Sequence, residues 1–128
     1  MRTGMALDIR AALDRGIDVL VEMPLEEIPD LSIGPALVRA LATCLAPALS
    51  RMSGLIATGG ETAAALLRQC YVGQIRLVDE LEAGISLGLM ARDGGVPIIT
   101  KPGAFGDPNS LIRSLEHLRT IRQTGKLA

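Results

Sequence analysis

Stretches of apolar residues at helical spacing alternate along this chain with short continuous apolar runs. The segment that contains Leu7, Ile9, Ala12 and Leu13 predicts a first helix, and Gly16 is placed to end it. Residues 17–21 (Ile-Asp-Val-Leu-Val) then predict a buried strand, and an acidic, proline-containing loop over residues 23–30 is expected to follow.

The middle of the chain repeats this order of strand and helix. Ser32 is predicted to cap a second helix with Pro35 in its first turn, and Pro47 is expected to kink or end that helix. Residues 55–58 predict a short apolar strand, and residues 61–70 predict the helix that follows it.

The last third predicts more strands and a final helix. Residues 75–81 alternate as in a strand with one wetter face, and Ala83-Gly84 turns the chain into the segment 85–91. A tight turn over residues 92–95 predicts a hairpin with a strand at 96–100. The final helix is predicted to bury one apolar face, made of Leu111, Ile112, Leu115, Leu118 and Ile121.

This order predicts an α/β fold, because helices alternate with strands along the chain. We expect a three-layer α/β/α sandwich with a mainly parallel sheet and one antiparallel hairpin-like segment. The 128 residues suffice for one core, and no linker divides them, so residues 1–128 are predicted to form a single domain.

Composition narrows the function classes. Apolar residues make up 48% of the chain, charged residues 21%, and the net charge is −1, so neither nucleic acid nor an anionic membrane is an expected partner. No apolar run is long enough to span a membrane and no secretory leader is evident, which predicts a cytoplasmic protein. A short chain that is this rich in apolar residues is expected to have apolar surface that another domain or a partner subunit covers. A homodimer is one such arrangement.

The remaining single residues predict no catalytic centre. Cys44 and Cys70 lack metal-ligand spacing and are interpreted as small buried hydrophobes, and His117 is expected on the surface. No nucleophile, base and orienting group can be assembled around one histidine, so no catalytic residue and no protein-held metal are predicted.

Two glycine-rich turns are the strongest chemical signal. Gly59, Gly60, Glu61 and Thr62 follow the apolar run at 55–58 and open a helix. A bare backbone at a helix N-terminus presents unpaired N–H groups and a positive dipole end, which suits a phosphate. An ordinary strand-to-helix turn has the same local sequence, and the Walker A and G-x-G-x-x-G spacings are absent.

The second turn has the same order of elements and adds a cation. Lys101 stands at a strand end, where its ammonium could neutralise a β- or γ-phosphate, and the backbone at Gly103 and Gly106 could wrap a ligand. Phe105 either anchors this loop to the core or contacts adenine or ribose. Asp107 is predicted to cap the next helix, with a water-mediated contact to Mg²⁺ as the alternative. Both turns lie at carboxyl ends of predicted strands and could converge on one anionic ligand.

At these turns the chain resembles the four-carbon acid sugar kinases. Residues 54–62 (Gly-Leu-Ile-Ala-Thr-Gly-Gly-Glu-Thr) are similar to that family's nucleotide-binding strand and loop, and residues 99–107 are similar to its K-x-G-x-F-G motif. Residues 75–88 resemble its "G-E-(L/I)-x-P-G-(V/I)-P-L-G" stretch. The resemblance extends from about residue 18 to residue 118, nearly the whole chain.

The resemblance implies a nucleotide-binding C-terminal domain without the N-terminal domain that binds threonate, erythronate or a 3-oxo-tetronate and supplies the catalytic carboxylate. ATP and Mg²⁺ are the implied ligands. The implied nucleotide contacts are Gly59, Gly60, Glu61, Thr62, Lys101, Gly103, Phe105 and Gly106. Where family members often carry a serine after the first strand, this chain has Val21-Glu22-Met23-Pro24, so no hydroxyl contact is expected there.

Several interpretations stay open at this point. The chain could be a separated fragment, one half of a split enzyme or a truncated relative, and in each case no kinase turnover is expected from it alone. A non-catalytic interaction or oligomerisation module that has lost nucleotide binding is the alternative from another class. A different small-molecule-binding α/β protein is a third, since the Lys101 turn by itself does not exclude it.

Overall fold

The structure is a computed structural model that describes residues 3–21, 34–70, 72–91, 95–102 and 106–124, with the backbone alone for 3–7, 34–35 and 60–62. These residues form four α-helices, a 3-10 helix and four strands. The helices are α1 (Thr3–Asp14), α2 (Gly34–Leu45), the 3-10 helix (Ala46–Arg51), α3 (Gly60–Gln69) and α4 (Ser110–Thr124). The strands are β1 (Leu55–Thr58), β2 (Ile75–Glu82), β3 (Ile85–Met90) and β4 (Pro97–Lys101).

A glycine follows the end of α1, and a proline follows the end of α2. Gly16 has a φ of 75°, and its N–H donates to the Leu13 carbonyl at 3.0 Å, so the predicted glycine end of α1 is confirmed. Pro47 lies at the start of the 3-10 helix that replaces α2 after Leu45, which confirms the predicted break. The predicted loop at 23–30 and the Ser32 cap lie outside the described residues.

The sheet has the order β1-β4-β3-β2, and its pairing is mixed. β1 pairs parallel with β4, whereas β3 pairs antiparallel with both β4 and β2. The α/β class and the antiparallel segment are confirmed, but the predicted predominance of parallel pairing is wrong. The connections after β2 and β3 are too short for a parallel crossover, which needs about a dozen residues or more, so these strands must run antiparallel.

The strand predicted at residues 17–21 is absent from the described sheet. Ile17, Val19 and Leu20 are exposed, and Leu20 retains 79% of its accessible surface. The Asp18 carboxylate accepts a hydrogen bond from Arg119 of α4 at 2.6 Å, so this apolar segment is tied to α4 by an ion pair. The predicted buried strand is therefore wrong, because an apolar run does not by itself specify a partner that buries it.

Buried residues form two clusters on opposite faces of the sheet. Successive residues of a strand point to opposite faces, and Ile98 belongs to the cluster that contains α2 and α3 residues. Ile99 belongs to the other cluster, with Ile85 and Leu87, against which Leu118 and Ile121 of α4 pack. Helices therefore cover both faces of the strands that carry the two turns.

The buried face of α4 differs from the prediction. Ser110 and Ser114 are buried, whereas Leu111 and Ile112 are exposed, with 57% of Ile112 accessible. Leu118 and Ile121 do pack on the sheet as predicted. The side of α4 that faces the protein therefore runs through Ser110, Ser114, Leu118 and Ile121, at spacings of four, four and three residues.

Three single-residue expectations have mixed outcomes. Cys70 is buried as predicted, whereas Cys44 and His117 are half-buried. Within the described residues, neither cysteine forms a disulfide bond. Across the part of the chain that is described, no helix combines the length and apolarity needed to cross a membrane.

Candidate functional site

The two glycine turns meet at one edge of the sheet. β1 and β4 are neighbouring parallel strands, so their carboxyl ends lie side by side, with Thr58 opposite Lys101. The Gly59 N–H donates to the Lys101 carbonyl at 2.8 Å, which joins the start of one turn to the start of the other. The crevice at the carboxyl ends of parallel strands is a common ligand position in α/β proteins.

The first turn leaves the N-terminus of α3 without a capping side chain. Gly59 is the N-cap, with φ 88° and ψ 127°, a backbone conformation that favours glycine strongly. Gly60, Glu61 and Thr62 form the first turn of α3, where backbone N–H groups have no carbonyl four residues earlier in the helix. The positive end of the helix dipole adds to these donors, so this helix start can receive an anion.

The second turn brings the Lys101 side chain beside a glycine. Lys101 is half-buried at the end of β4. Gly106 has a φ of 88°, and a Cβ atom built there would lie 3.1 Å from Cε of Lys101. The lysine stem therefore runs from the end of β4 toward the start of α4. Gly103 and Phe105 lie outside the described residues, so the predicted roles of this pair remain predictions.

Asp107 caps α4 through a reciprocal pair of hydrogen bonds. Its Oδ1 accepts from the Asn109 N–H at 2.8 Å, and its own N–H donates to Oγ of Ser110 at 2.8 Å. The bond from the N–H two residues on is an N-cap contact, and the bond from the Asp107 N–H to the Ser110 side chain is the return bond of a capping box, so the predicted cap is confirmed. The described residues contain no group of three or more His, Cys, Asp or Glu side chains that could hold a metal ion.

Sequence reasoning missed an ion-pair network at the same place. Arg113 donates from Nε and Nη2 to the two carboxylate oxygens of Glu82 at 2.8 and 2.7 Å. Nη2 also donates to Oδ2 of Asp107 at 2.8 Å. Glu82 and Arg113 are 31 positions apart, and no local pattern marks such a pair.

The network shifts the titration of its members. The hydrogen bond from Arg113 lowers the pKa of Glu82 below its ordinary 4.5. Arg113 also lowers the pKa of Asp107 below its ordinary 3.8, with the Asn109 N–H as the next contribution. The two carboxylates in turn raise the pKa of Arg113. Near neutral pH, one cation is therefore shared between two carboxylates beside Gly106.

Residues 6–111 match the family model described as "Nucleotide-binding C-terminal domain". The chain belongs to this family. The match includes both glycine turns, the hairpin between them and the start of α4, so the resemblance noted from the three motifs is confirmed.

Curated relatives of this nucleotide-binding domain carry the name of a kinase. A D-threonate kinase from Cupriavidus necator is 40% identical over 106 residues, which is 80% of this chain and 26% of the relative. A D-threonate kinase from Bordetella bronchiseptica is 39% identical over 74 residues, 56% of this chain and 18% of the relative. The chain thus spans about a quarter or less of the curated relatives that it matches.

Two solved structures of a Bordetella bronchiseptica domain of unknown function share the fold. One has a TM-score of 0.64 at 32% identity and covers 85% of this chain and 29% of its own. The other has a TM-score of 0.68 at 29% identity and covers 91% of this chain and 30% of its own. Both are described as domain-swapped dimers with bound citrate.

Proposed function

We propose that this chain is the nucleotide-binding part of an ATP-dependent kinase for four-carbon sugar acids such as threonate, erythronate or a 3-oxo-tetronate. The family and the D-threonate kinase relatives support the class of enzyme. The observation that carries the proposal is the 2.8 Å hydrogen bond between the Gly59 N–H and the Lys101 carbonyl. It places an uncapped helix start and a lysine side chain at one sheet edge.

The nucleotide phosphates are proposed to lie at the start of α3. Backbone N–H groups near Gly59, Gly60, Glu61 and Thr62 would bind phosphate oxygens, and the Lys101 ammonium would neutralise charge as the γ-phosphoryl group leaves. The second turn would add the proposed contacts Gly103, Phe105 and Gly106. We propose that Mg²⁺ arrives with the nucleotide, since phosphates and water supply most of its ligands in such sites.

Phosphoryl transfer also needs a base and a pocket for the sugar acid, which the resemblance assigns to another domain. We therefore propose no catalytic residue in this chain and expect the purified chain to phosphorylate no tetronate. We further propose that residues 1–128 act as one domain, with the sheet as the middle layer of a three-layer sandwich and a cytoplasmic location. Turnover of threonate by the chain alone would contradict this division of labour.

Thermal unfolding with and without Mg²⁺-ATP tests the proposed function. A ligand at about 100 times its Kd adds roughly 2.7 kcal/mol of stability, which is a rise of several degrees in Tm for a domain of this size. Lys101→Ala is expected to reduce the rise. Arg122→Ala removes one exposed cation from the last turn of α4 and should leave the rise intact. No rise at millimolar nucleotide would contradict the proposal.

A second candidate is an interaction module that forms a homodimer. The exposed Ile17, Val19, Leu20 and Leu77 side chains favour it, since apolar groups of this size are commonly covered by a partner. The domain-swapped dimers of the two solved relatives add support. Light scattering of the purified chain with and without nucleotide separates the candidates. A dimer that binds no nucleotide supports the module, and a monomer that binds it opposes the module.

A further inference from the structure

The Arg113 network joins three parts of the chain at the edge of the proposed site. Glu82 is the last residue of β2, Arg113 lies in the first turn of α4, and Asp107 caps that helix. Nη2 of Arg113 also donates to Oγ of Ser110 at 3.3 Å, the atom that accepts the Asp107 N–H. A single guanidinium thus holds both members of the capping box against the end of the β2–β3 hairpin.

We infer that the Arg113–Glu82 fork is a positioning device that holds Gly106 and the Lys101 side chain in place for the phosphates of the nucleotide. Gly106 directly precedes Asp107, and a Cβ atom built on it would meet the Ser110 side chain and Cε of Lys101. A shift of Asp107 would therefore move Gly106, which packs against the aliphatic part of the Lys101 side chain. This inference rests on the proposed nucleotide function of the same edge.

The geometry of the fork distinguishes it from an ordinary surface ion pair. Most exposed pairs contribute little, and the exceptions are bidentate arginine–carboxylate pairs and networks of several charges. Arg113 makes two hydrogen bonds to Glu82 and a third to Asp107. Arg119 of the same helix contacts Asp18 through a single hydrogen bond, with both side chains more than half exposed.

An electrostatic role and a positioning role of Glu82 predict opposite effects on nucleotide affinity when its charge is removed. Glu82→Gln removes a negative charge near the proposed phosphate site, so a purely electrostatic role predicts tighter nucleotide binding. Loss of the fork releases Arg113, and the Asp107 carboxylate that it still contacts, from the end of the β2–β3 hairpin, so a positioning role predicts weaker binding. Asp18→Asn removes the same charge from the Arg119–Asp18 ion pair of α4 and serves as the matched control.

The experiment is calorimetric titration of the 128-residue chain and of both variants with Mg²⁺-ADP and with adenosine, well below their unfolding temperatures. We expect Glu82→Gln to weaken Mg²⁺-ADP binding on the order of tenfold, the lower end of what loss of an outer-shell partner costs at metal sites. Adenosine binding should be unchanged, because it carries no phosphate. Asp18→Asn should bind both ligands as the unchanged chain does.

The outcomes separate this inference from the proposed function. Unchanged or tighter Mg²⁺-ADP binding by Glu82→Gln overturns the positioning role and leaves the nucleotide site intact. Equal losses for adenosine and Mg²⁺-ADP overturn it as well, since the effect would be a general loss of structure. If the unchanged chain binds neither ligand, the proposed function fails and the inference fails with it.

Discussion

The helices α3 and α4 begin in the same sequence context but have different N-termini. Each follows a strand end and a glycine turn, and the two strands are neighbours in the sheet. α3 begins at Gly60, and its N-cap Gly59 has no side chain to cap it. α4 begins at Ser110, after a turn in which the Asp107 carboxylate accepts the Asn109 N–H and the Asp107 N–H donates to Oγ of Ser110.

Because of this difference, we expect the two glycine turns to contribute different groups to the proposed nucleotide site. The first turn of α3 presents backbone donors and a positive dipole end to an anion. The start of α4 already holds a carboxylate, which would repel a phosphate. The expectation that both helix starts present free N–H groups is therefore wrong for α4. The second turn contributes a lysine next to Gly106 rather than a helix dipole.

The largest expected effect comes from closing the space at Gly106. Gly106→Ala forces a left-handed φ of 88° on alanine and puts its Cβ against Oγ of Ser110 and Cε of Lys101. Strain and overpacking together should cost about 3 kcal/mol in the free energy of unfolding, measured by urea titration. Gly73→Ala is the control, because nothing lies within 4 Å of that position and its φ is not positive. Equal losses in both variants would contradict the close packing of this turn.

Straining the uncapped start of α3 should have the next largest effect. Gly59→Ala keeps the helix but disfavours φ 88° and ψ 127°, which should cost about 2 kcal/mol and weaken Mg²⁺-ADP binding. Gly16→Ala also changes a positive-φ glycine, but in open space, at about 1 kcal/mol. Its nucleotide affinity should be unaltered. A Gly59→Ala variant with full affinity would show that the N-terminus of α3 receives no phosphate.

Removing the serine of the capping box should have a smaller effect. Ser110→Ala leaves the Asp107 N–H without its acceptor and should lower the unfolding free energy by about 1 kcal/mol. Thr120→Ala changes an exposed hydroxyl of the same helix that donates to the Glu116 carbonyl four residues earlier, so it should be close to neutral. The unfolding free energies of both variants are obtained from urea titration. An unchanged value for Ser110→Ala would mean that the capping box contributes nothing to stability.

The pH dependence should be the mildest effect. The folded-state pKa values of Glu82 and Asp107 lie below their ordinary 4.5 and 3.8, so the network stabilises the fold above those values. This contribution is lost as the pH falls through the lowered folded-state values. The stability gap between the unchanged chain and Glu82→Gln, followed by urea titration from pH 7 to 3, should therefore narrow below pH 4.5. A gap that widens toward acid would contradict the network.

Local signals in the sequence predicted the elements that build the site. The apolar runs before Gly59 and after Gly95 are strands, and Gly16, Pro47 and Asp107 end or begin helices through their own backbone chemistry. The direction of strand pairing was not predicted correctly from the sequence. The sheet is mixed because the short connections after β2 and β3 require antiparallel neighbours.

Contacts between residues that are far apart in the sequence could not be predicted from local sequence patterns. Arg113 contacts Glu82, 31 positions away in the sequence, where α4 lies beside the β2–β3 hairpin. Residues 17–21 carry a strand pattern but lie outside the described sheet, and Asp18 contacts Arg119, 101 positions away. In both cases the partner is distant in sequence, so no spacing rule could identify it.

Backbone amide shifts during titration of the ¹⁵N-labelled chain with Mg²⁺-ADP test the central claim most directly. The account predicts that the largest shifts occur at the amides of residues 59–62, with Lys101 next and the capped amides of Asn109 and Ser110 small. Shifts centred on the first turn of α4 would contradict the division between the two helix starts. The absence of shifts at millimolar nucleotide would contradict the nucleotide site itself.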